Sequence, residues 1–136
     1  MRIAVDTNVL VSAFLSPRSA PAAILSLILS KRVELCLDVR IVDEYRDVLS
    51  RPKFGFSERD IDKFIAFLWR EGVWVIPDIL PAHPFPDASD SMFIEVAHAA
   101  NAFCLTTGNM RHFPERARFG VKVLTPADFL KTLKTP

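Results

Sequence analysis

Five short apolar runs, Arg2–Val5, Val33–Leu37, Val73–Ile76, Phe103–Thr106 and Val121–Leu124, recur along this chain with helix-length patterns between them. Strands joined by such long connections pair side by side in the same direction, because only antiparallel neighbours can be linked by a tight hairpin. The pattern therefore predicts an α/β domain: a mostly parallel sheet with helices on both faces. A chain of 136 residues matches one ordinary domain, here 1–136, and is too short for two with separate cores. Half of its residues are hydrophobic, enough to bury a substantial core. No internal repeat, low-complexity tract or interdomain linker interrupts it, and Pro77 to Pro86 reads as an extended connection.

Between the strands, Pro21 opens Ala22 to Leu29, a nearly all-apolar helix that must be buried or docked on a partner. Ile41, Tyr45, Val48 and Leu49 repeat at helical spacing and stop before Pro52. Ser57-Glu58-Arg59-Asp60 starts another helix, with Ile61, Phe64, Ile65 and Leu68 as its apolar stripe and Gly72 at its end. A fourth runs from about Ala88 to Ala100, and Pro126 opens the last. Trp69, Trp74 and the eleven phenylalanines read as mostly core at these spacings.

The formal charge is only +1, so a nucleic-acid partner would be held by a local basic patch or a metal and not by the field of the whole molecule. No stretch reads as a secretory leader, and the greasiest segment, Ala20 to Ser30, contains Pro21, Ser26 and Ser30 and is too short for a membrane span. The expectation is a cytoplasmic protein without membrane contact. Cys36 and Cys104, each inside an apolar run, suit buried thiols in a reducing compartment.

The chemistry gathers at the ends of the predicted strands, where open α/β sheets place their ligands. The first strand ends abruptly on Asp6, with Thr7 and Asn8 beside it. Asp6 either belongs to a site at the sheet edge or caps the first helix. Glu44 follows the second strand and lies next to the core stripe of its helix, so it points along the sheet edge toward Asp6 or stays a surface carboxylate. Asp87 and Asp90, three apart, resemble a capping box, yet a helix N-terminus aimed at the same edge would deliver Asp90 to the spot where Asp6 lies. Thr107 and Asn109 add neutral oxygens where the chain leaves the fourth strand. Two carboxylates about 5 Å apart repel by roughly 3 kcal/mol at an effective dielectric near 20, so converging acids call for a cation. An all-oxygen donor set suits Mg²⁺ or Mn²⁺.

Taken together, strand-Asp6-Thr7-Asn8-Val9-Leu10, Glu44-Tyr45-x-x-Val48-Leu49-Ser50-Arg51-Pro52-Lys53-Phe54, Asp87-x-x-Asp90-x-x-Phe93 and Thr107-Gly108-Asn109-x-x-His112-Phe113-Pro114 resemble the PIN-domain family. The resemblance covers nearly the whole chain and is nearest to the VapC-type ribonuclease toxins of toxin–antitoxin pairs. It implies a three-layer fold whose five-stranded parallel sheet is ordered 3-2-1-4-5. It also implies metal-dependent cleavage of RNA and an antitoxin partner. Apart from the resemblance, the apolar helix Ala22 to Leu29 and the Phe64–Trp69 stripe offer a surface for a homodimer or the antitoxin, core packing explaining part of both. By position, Asp6, Glu44 and Asp90 match the acidic metal ligands. The family's fourth acid is Asn109 here, which removes one charge. Thr7, Asn8, Asp87 and Thr107 would support the site, and Arg51, Lys53, Arg111 and His112 would contact RNA; Arg116 and Arg118 are further candidates for the rim. With that strand order, Cys36 and Cys104 would stand about 9–10 Å apart across the first strand, beyond disulfide reach.

Two other readings compete. Asn109 and the low charge also suit a PIN-like module that binds RNA or an antitoxin without efficient cleavage. A receiver-like phosphotransfer domain shares the acid after strand one, but it needs a second aspartate closing a later strand, and the third run ends without one.

Overall fold

The computed structural model describes residues 1–79 and 88–134. Its order is β1 (Arg2–Val5), α1 (Thr7–Leu15), α2 (Ala20–Leu29), β2 (Glu34–Leu37), α3 (Val39–Leu49), α4 (Glu58–Glu71), β3 (Val73–Trp74), α5 (Ser91–Ala99), β4 (Cys104–Thr106), β5 (Val123–Leu124) and α6 (Pro126–Lys134). The five strands form one parallel sheet in the order β3-β2-β1-β4-β5, the order that the family resemblance implied. Ile3 pairs with Leu35 on one side and Cys104 on the other, so β1 is the central strand. Successive strand residues face opposite sides of a sheet. Ile3, Ala4 and Val5 are all fully buried, so both faces of β1 are covered. α5 packs directly against β1, β2 and β4.

Cys36 and Cys104 are free buried thiols on the two strands that flank β1, and burial pushes them up to about 11 and about 12. In α3, Ile41, Tyr45 and Leu49 are buried as the stripe predicts; Val42 joins them, and Val48 is half-buried. Tyr45 is anchored deeper than its hydrophobicity alone requires: its hydroxyl donates to the Val5 carbonyl at 2.6 Å, tying α3 to the end of β1.

Gly72 ends α4 as expected, in an extended conformation; a Cβ there would stand 2.6 Å from the Leu68 carbonyl oxygen, so close backbone approach requires the glycine. Other expectations are corrected. α5 begins at Ser91 after one 3-10 turn over Ala88–Asp90, later than the capping-box reading places it, and Asp90 occupies its N-cap without a capping hydrogen bond. Asp87 and most of the Pro77–Pro86 connection lie outside the described residues. Trp69 is not core: it is 57% exposed and stacks on Trp74 at 4.3 Å between ring centroids. α2 buries only Ile24 and Ile28 fully, leaving Leu29 exposed.

Candidate functional site

Asp6 is where the parallel sheet hands over to α1. Its backbone N–H donates to the Thr106 carbonyl at 2.9 Å, holding the residue at the β1–β4 seam, and its own carbonyl accepts from Val9 at 3.0 Å to begin the helix. The carboxylate does not cap α1. It accepts instead from the Thr107 hydroxyl at 2.8 Å, and the side chain is only 6% exposed. The capping alternative for Asp6 is thereby removed. Burial, chiefly, lifts the Asp6 carboxyl above its usual range; the Thr107 hydroxyl and the Thr7 backbone N–H pull it down, the charge of Glu44 raises it, and His112 lowers it.

Glu44 projects from the second turn of α3 and is half-buried, not a free surface carboxylate. It accepts a short hydrogen bond from the Thr7 hydroxyl at the start of α1. Asp43 and Asp47 on the same helix are exposed. Asp90, 7% exposed at the head of α5, stands 3.2 Å from His112 Nδ1. Asn8 accepts the Gly108 backbone N–H at 3.1 Å, closing the α1 end of the site against the loop after β4.

Asp6, Thr7, Asn8, Glu44, Asp90 and His112 line one open cleft of about 420 Å³ at the carboxyl edge of the sheet, with Arg51 and Ser89 on its wall. A roomier groove of about 500 Å³, lined by Val39, Trp74, Val75, Ile76 and Ile79, is mostly apolar and receives none of these acids. Thr107 and Asn109 stand behind the acidic cleft. The Asn109 backbone N–H donates to the Thr107 hydroxyl at 3.0 Å, and its side-chain amide meets His112 Nε2 at 3.0 Å.

Of the cations expected at nucleic acid, Arg51 and His112 line the cleft, while Lys53 and Arg111 are exposed and are not among its lining residues. Lys53 lies over the Phe54 ring at 5.1 Å. Arg118 donates to the Phe113 carbonyl at 2.7 Å, a structural task. Sequence reasoning missed Tyr45 as an anchor of the site and Arg40, which pairs with Asp38 and with Glu95 on α5, both at 2.8 Å. No spacing signal reveals a partner 55 residues away.

The donor set, three carboxylates with hydroxyl and amide oxygens beside them, is of the kind that hard divalent cations take, and the lifted Asp6 carboxyl marks a place where positive charge would be welcome. Among the described residues no three acidic, histidine or cysteine groups already stand close enough to hold one ion together.

Acids delivered by separate elements to the carboxyl edge of a parallel sheet ordered 3-2-1-4-5 define an α/β domain with an acidic edge cleft. The PIN domain family model matches residues 2–111, and the chain belongs to that family. It is similar in structure to FitAcB from Neisseria gonorrhoeae, with a TM-score of 0.58 and 19% identity over 92% of this chain and 98% of that one. The structure of FitAB bound to an IR36 DNA fragment is equally similar, at 0.58 and 19%, over 91% of this chain and 94% of the other. No curated protein matches the sequence.

Proposed function

We propose that this chain is a Mg²⁺- or Mn²⁺-dependent endoribonuclease, the toxin of a toxin–antitoxin pair working in the cytoplasm. The observation that carries the reading is that Asp6, Glu44 and Asp90, far apart in sequence, line one cleft at the sheet edge. Those three would hold the ion. A bound Mg²⁺ or Mn²⁺ lowers the pKa of a coordinated water and offsets charge building on a scissile phosphate.

The remaining residues shape the site. Thr107 and Thr7 each donate to an acid and so fix Asp6 and Glu44 in direction. Asn8 pins the loop after β4, and Asn109 orients its neighbours from behind the cleft. Arg51 on the wall would meet phosphate oxygens, with exposed Lys53 and Arg111 available to a longer RNA, while the ring nitrogens of His112 are turned to Asn109 and Asp90. Asp87, adjoining the Asp90 turn in sequence, would support that turn. Leu15 and Leu29 expose apolar surface at the ends of α1 and α2, which supports a protein partner, the antitoxin or a second copy in a homodimer.

RNA cleavage by the purified chain should require added Mn²⁺ or Mg²⁺ and should disappear with chelator and with Asp6→Asn. Cleavage surviving both treatments would eliminate this mechanism.

One set of observations favours a second reading, a binding module that cleaves poorly. Asn109 brings an amide where a fourth acid would add charge, and no three candidate ligands among the described residues are gathered for an ion. Calorimetry separates the two: no binding at millimolar Mg²⁺ or Mn²⁺ supports the module, and saturable binding supports the nuclease.

A further inference from the structure

Asp6 and Asp90 are joined by one arc of polar contacts built on the loop after β4, hydrogen bonds from Asp6 as far as His112 and an ion-pair contact from His112 to Asp90. From Asp6 the arc runs to the Thr107 hydroxyl at 2.8 Å, on to the Asn109 backbone N–H at 3.0 Å, through the Asn109 side chain to His112 Nε2 at 3.0 Å, and from His112 Nδ1 to Asp90 at 3.2 Å. Asn109 is the centre of the arc, reaching one acid through its backbone and the other through its side chain.

The Asn109–His112 contact fixes a proton. An amide nitrogen carries two hydrogens and has no lone pair to offer, so the Nε2 it faces must accept. A neutral imidazole holds one N–H; with Nε2 accepting, that hydrogen is on Nδ1, the ring nitrogen 3.2 Å from Asp90 Oδ2. An aspartate in place of Asn109 could only accept, and would demand the hydrogen on Nε2 instead.

We infer that Asn109 locks His112 in its Nδ1–H form and that the ring thereby positions the Asp90 carboxylate for a divalent cation. Both are positioning residues. The inference assigns Asn109 a task other than that of a neutral stand-in ligand, and its second half rests on the metal reading proposed above. Partners that orient a metal-binding side chain from behind are worth about tenfold to a hundredfold in metal affinity.

Two measurements on the full chain test it. In the first, long-range proton–nitrogen correlation spectra of the ¹⁵N-histidine-labelled, metal-free protein are recorded at about pH 8, above the ordinary histidine range. The His112 signals are identified by their loss in His112→Ala. An Nδ1–H ring with an accepting Nε2 is expected, and Asn109→Asp should move a proton onto Nε2. An Nε2–H or doubly protonated ring in the unsubstituted protein, or an unchanged ring in Asn109→Asp, overturns the lock.

In the second, Mg²⁺ affinity is measured by calorimetry with thermal unfolding as the check on folding. His112→Ala should lose about tenfold to a hundredfold. His112→Asn, whose amide nitrogen falls near the place of Nδ1, should recover most of that loss, whereas His112→Gln, whose amide reaches the place of Nε2, should not. Equal affinity in His112→Ala, or equal recovery by both amides, overturns the positioning role. Absence of Mg²⁺ binding in the unsubstituted chain removes the metal reading and the positioning role with it. The Nδ1–H ring would still be read from the spectrum, so the two failures leave different signatures.

Discussion

The Thr107 hydroxyl donates to Asp6 at 2.8 Å across 101 residues of sequence, joining the ends of β1 and β4. That bond opposes the burial that lifts the Asp6 carboxyl, so it keeps a charge available in a place that resists it. Thr107→Val preserves shape and removes the donor. The carboxyl should then titrate higher still, and Mn²⁺ affinity should fall by roughly tenfold, the low end for a lost orienting partner. Carboxyl-detected NMR titration of Asp6, compared with calorimetry, checks the pair. An unshifted Asp6 in the variant would show that Thr107 is dispensable.

Stability without metal should show the same acid from the other side. The folded chain holds the Asp6 proton more tightly than the unfolded chain, because the folded carboxyl is raised, mainly by burial. Its contribution is therefore fully present below the ordinary carboxylate range and is lost as pH rises through the raised folded value. Asp6→Asn keeps an oxygen for the Thr107 hydroxyl and cannot ionise. In urea unfolding at neutral pH without metal, the variant should be more stable by roughly 0.5–2 kcal/mol, the usual gain on relieving a functional site. The advantage should shrink toward zero as pH falls below the ordinary aspartate range. A gap that widens on acidification would contradict the raised carboxyl.

How much of this was readable from sequence depends on distance along the chain. The strand ending at Asp6, the α3 stripe through Tyr45 and the Ser57 start of α4, where the Ser57 hydroxyl accepts from Asp60, are local patterns, and all three appear as predicted. Whether Asp6 capped α1 could not be decided locally, since the answer is Thr107. Glu44 looked like a surface acid because its helix position is only adjacent to the buried face; Thr7, from another element, draws it inward. Asp90 is the N-cap of α5, with helical dihedrals after a 3-10 turn, and its carboxylate stands 3.2 Å from His112, a partner no local pattern shows. Trp69 was misplaced because the α4 stripe alone does not show that Trp74 stacks on it from β3, outside the core.

Tyr45 supports the site from beneath. Its ring is fully buried, its hydroxyl satisfies the Val5 carbonyl one residue before Asp6, and burial with the nearby carboxylates pushes its ionisation well above the usual range. Tyr45→Phe leaves that carbonyl without its donor, at a cost of about 1–3 kcal/mol in denaturant unfolding. In the unsubstituted protein the tyrosinate absorbance should emerge only as the chain unfolds in alkali, since this is the chain's one tyrosine. A reversible tyrosinate signal from folded protein near the ordinary tyrosine range would refute the buried donor.

Arg40 ties the helix that carries Glu44 to the helix headed by Asp90. Its guanidinium meets Glu95, only 4% exposed, and also Asp38 at the cap of α3, while the arginine itself is 43% exposed. Removing one member of a buried pair costs more than removing both, because the survivor keeps its desolvation cost. Arg40→Met should therefore destabilise by about 1–3 kcal/mol, less than for a fully buried pair because water screens the arginine side. Adding Glu95→Met should restore much of the loss, because the buried carboxylate is then removed together with the guanidinium. Urea unfolding of both single variants and the double variant gives the coupling directly. Simple additivity of the two losses would show that Arg40 and Glu95 stabilise the fold independently, and that the α3–α5 tie lies elsewhere.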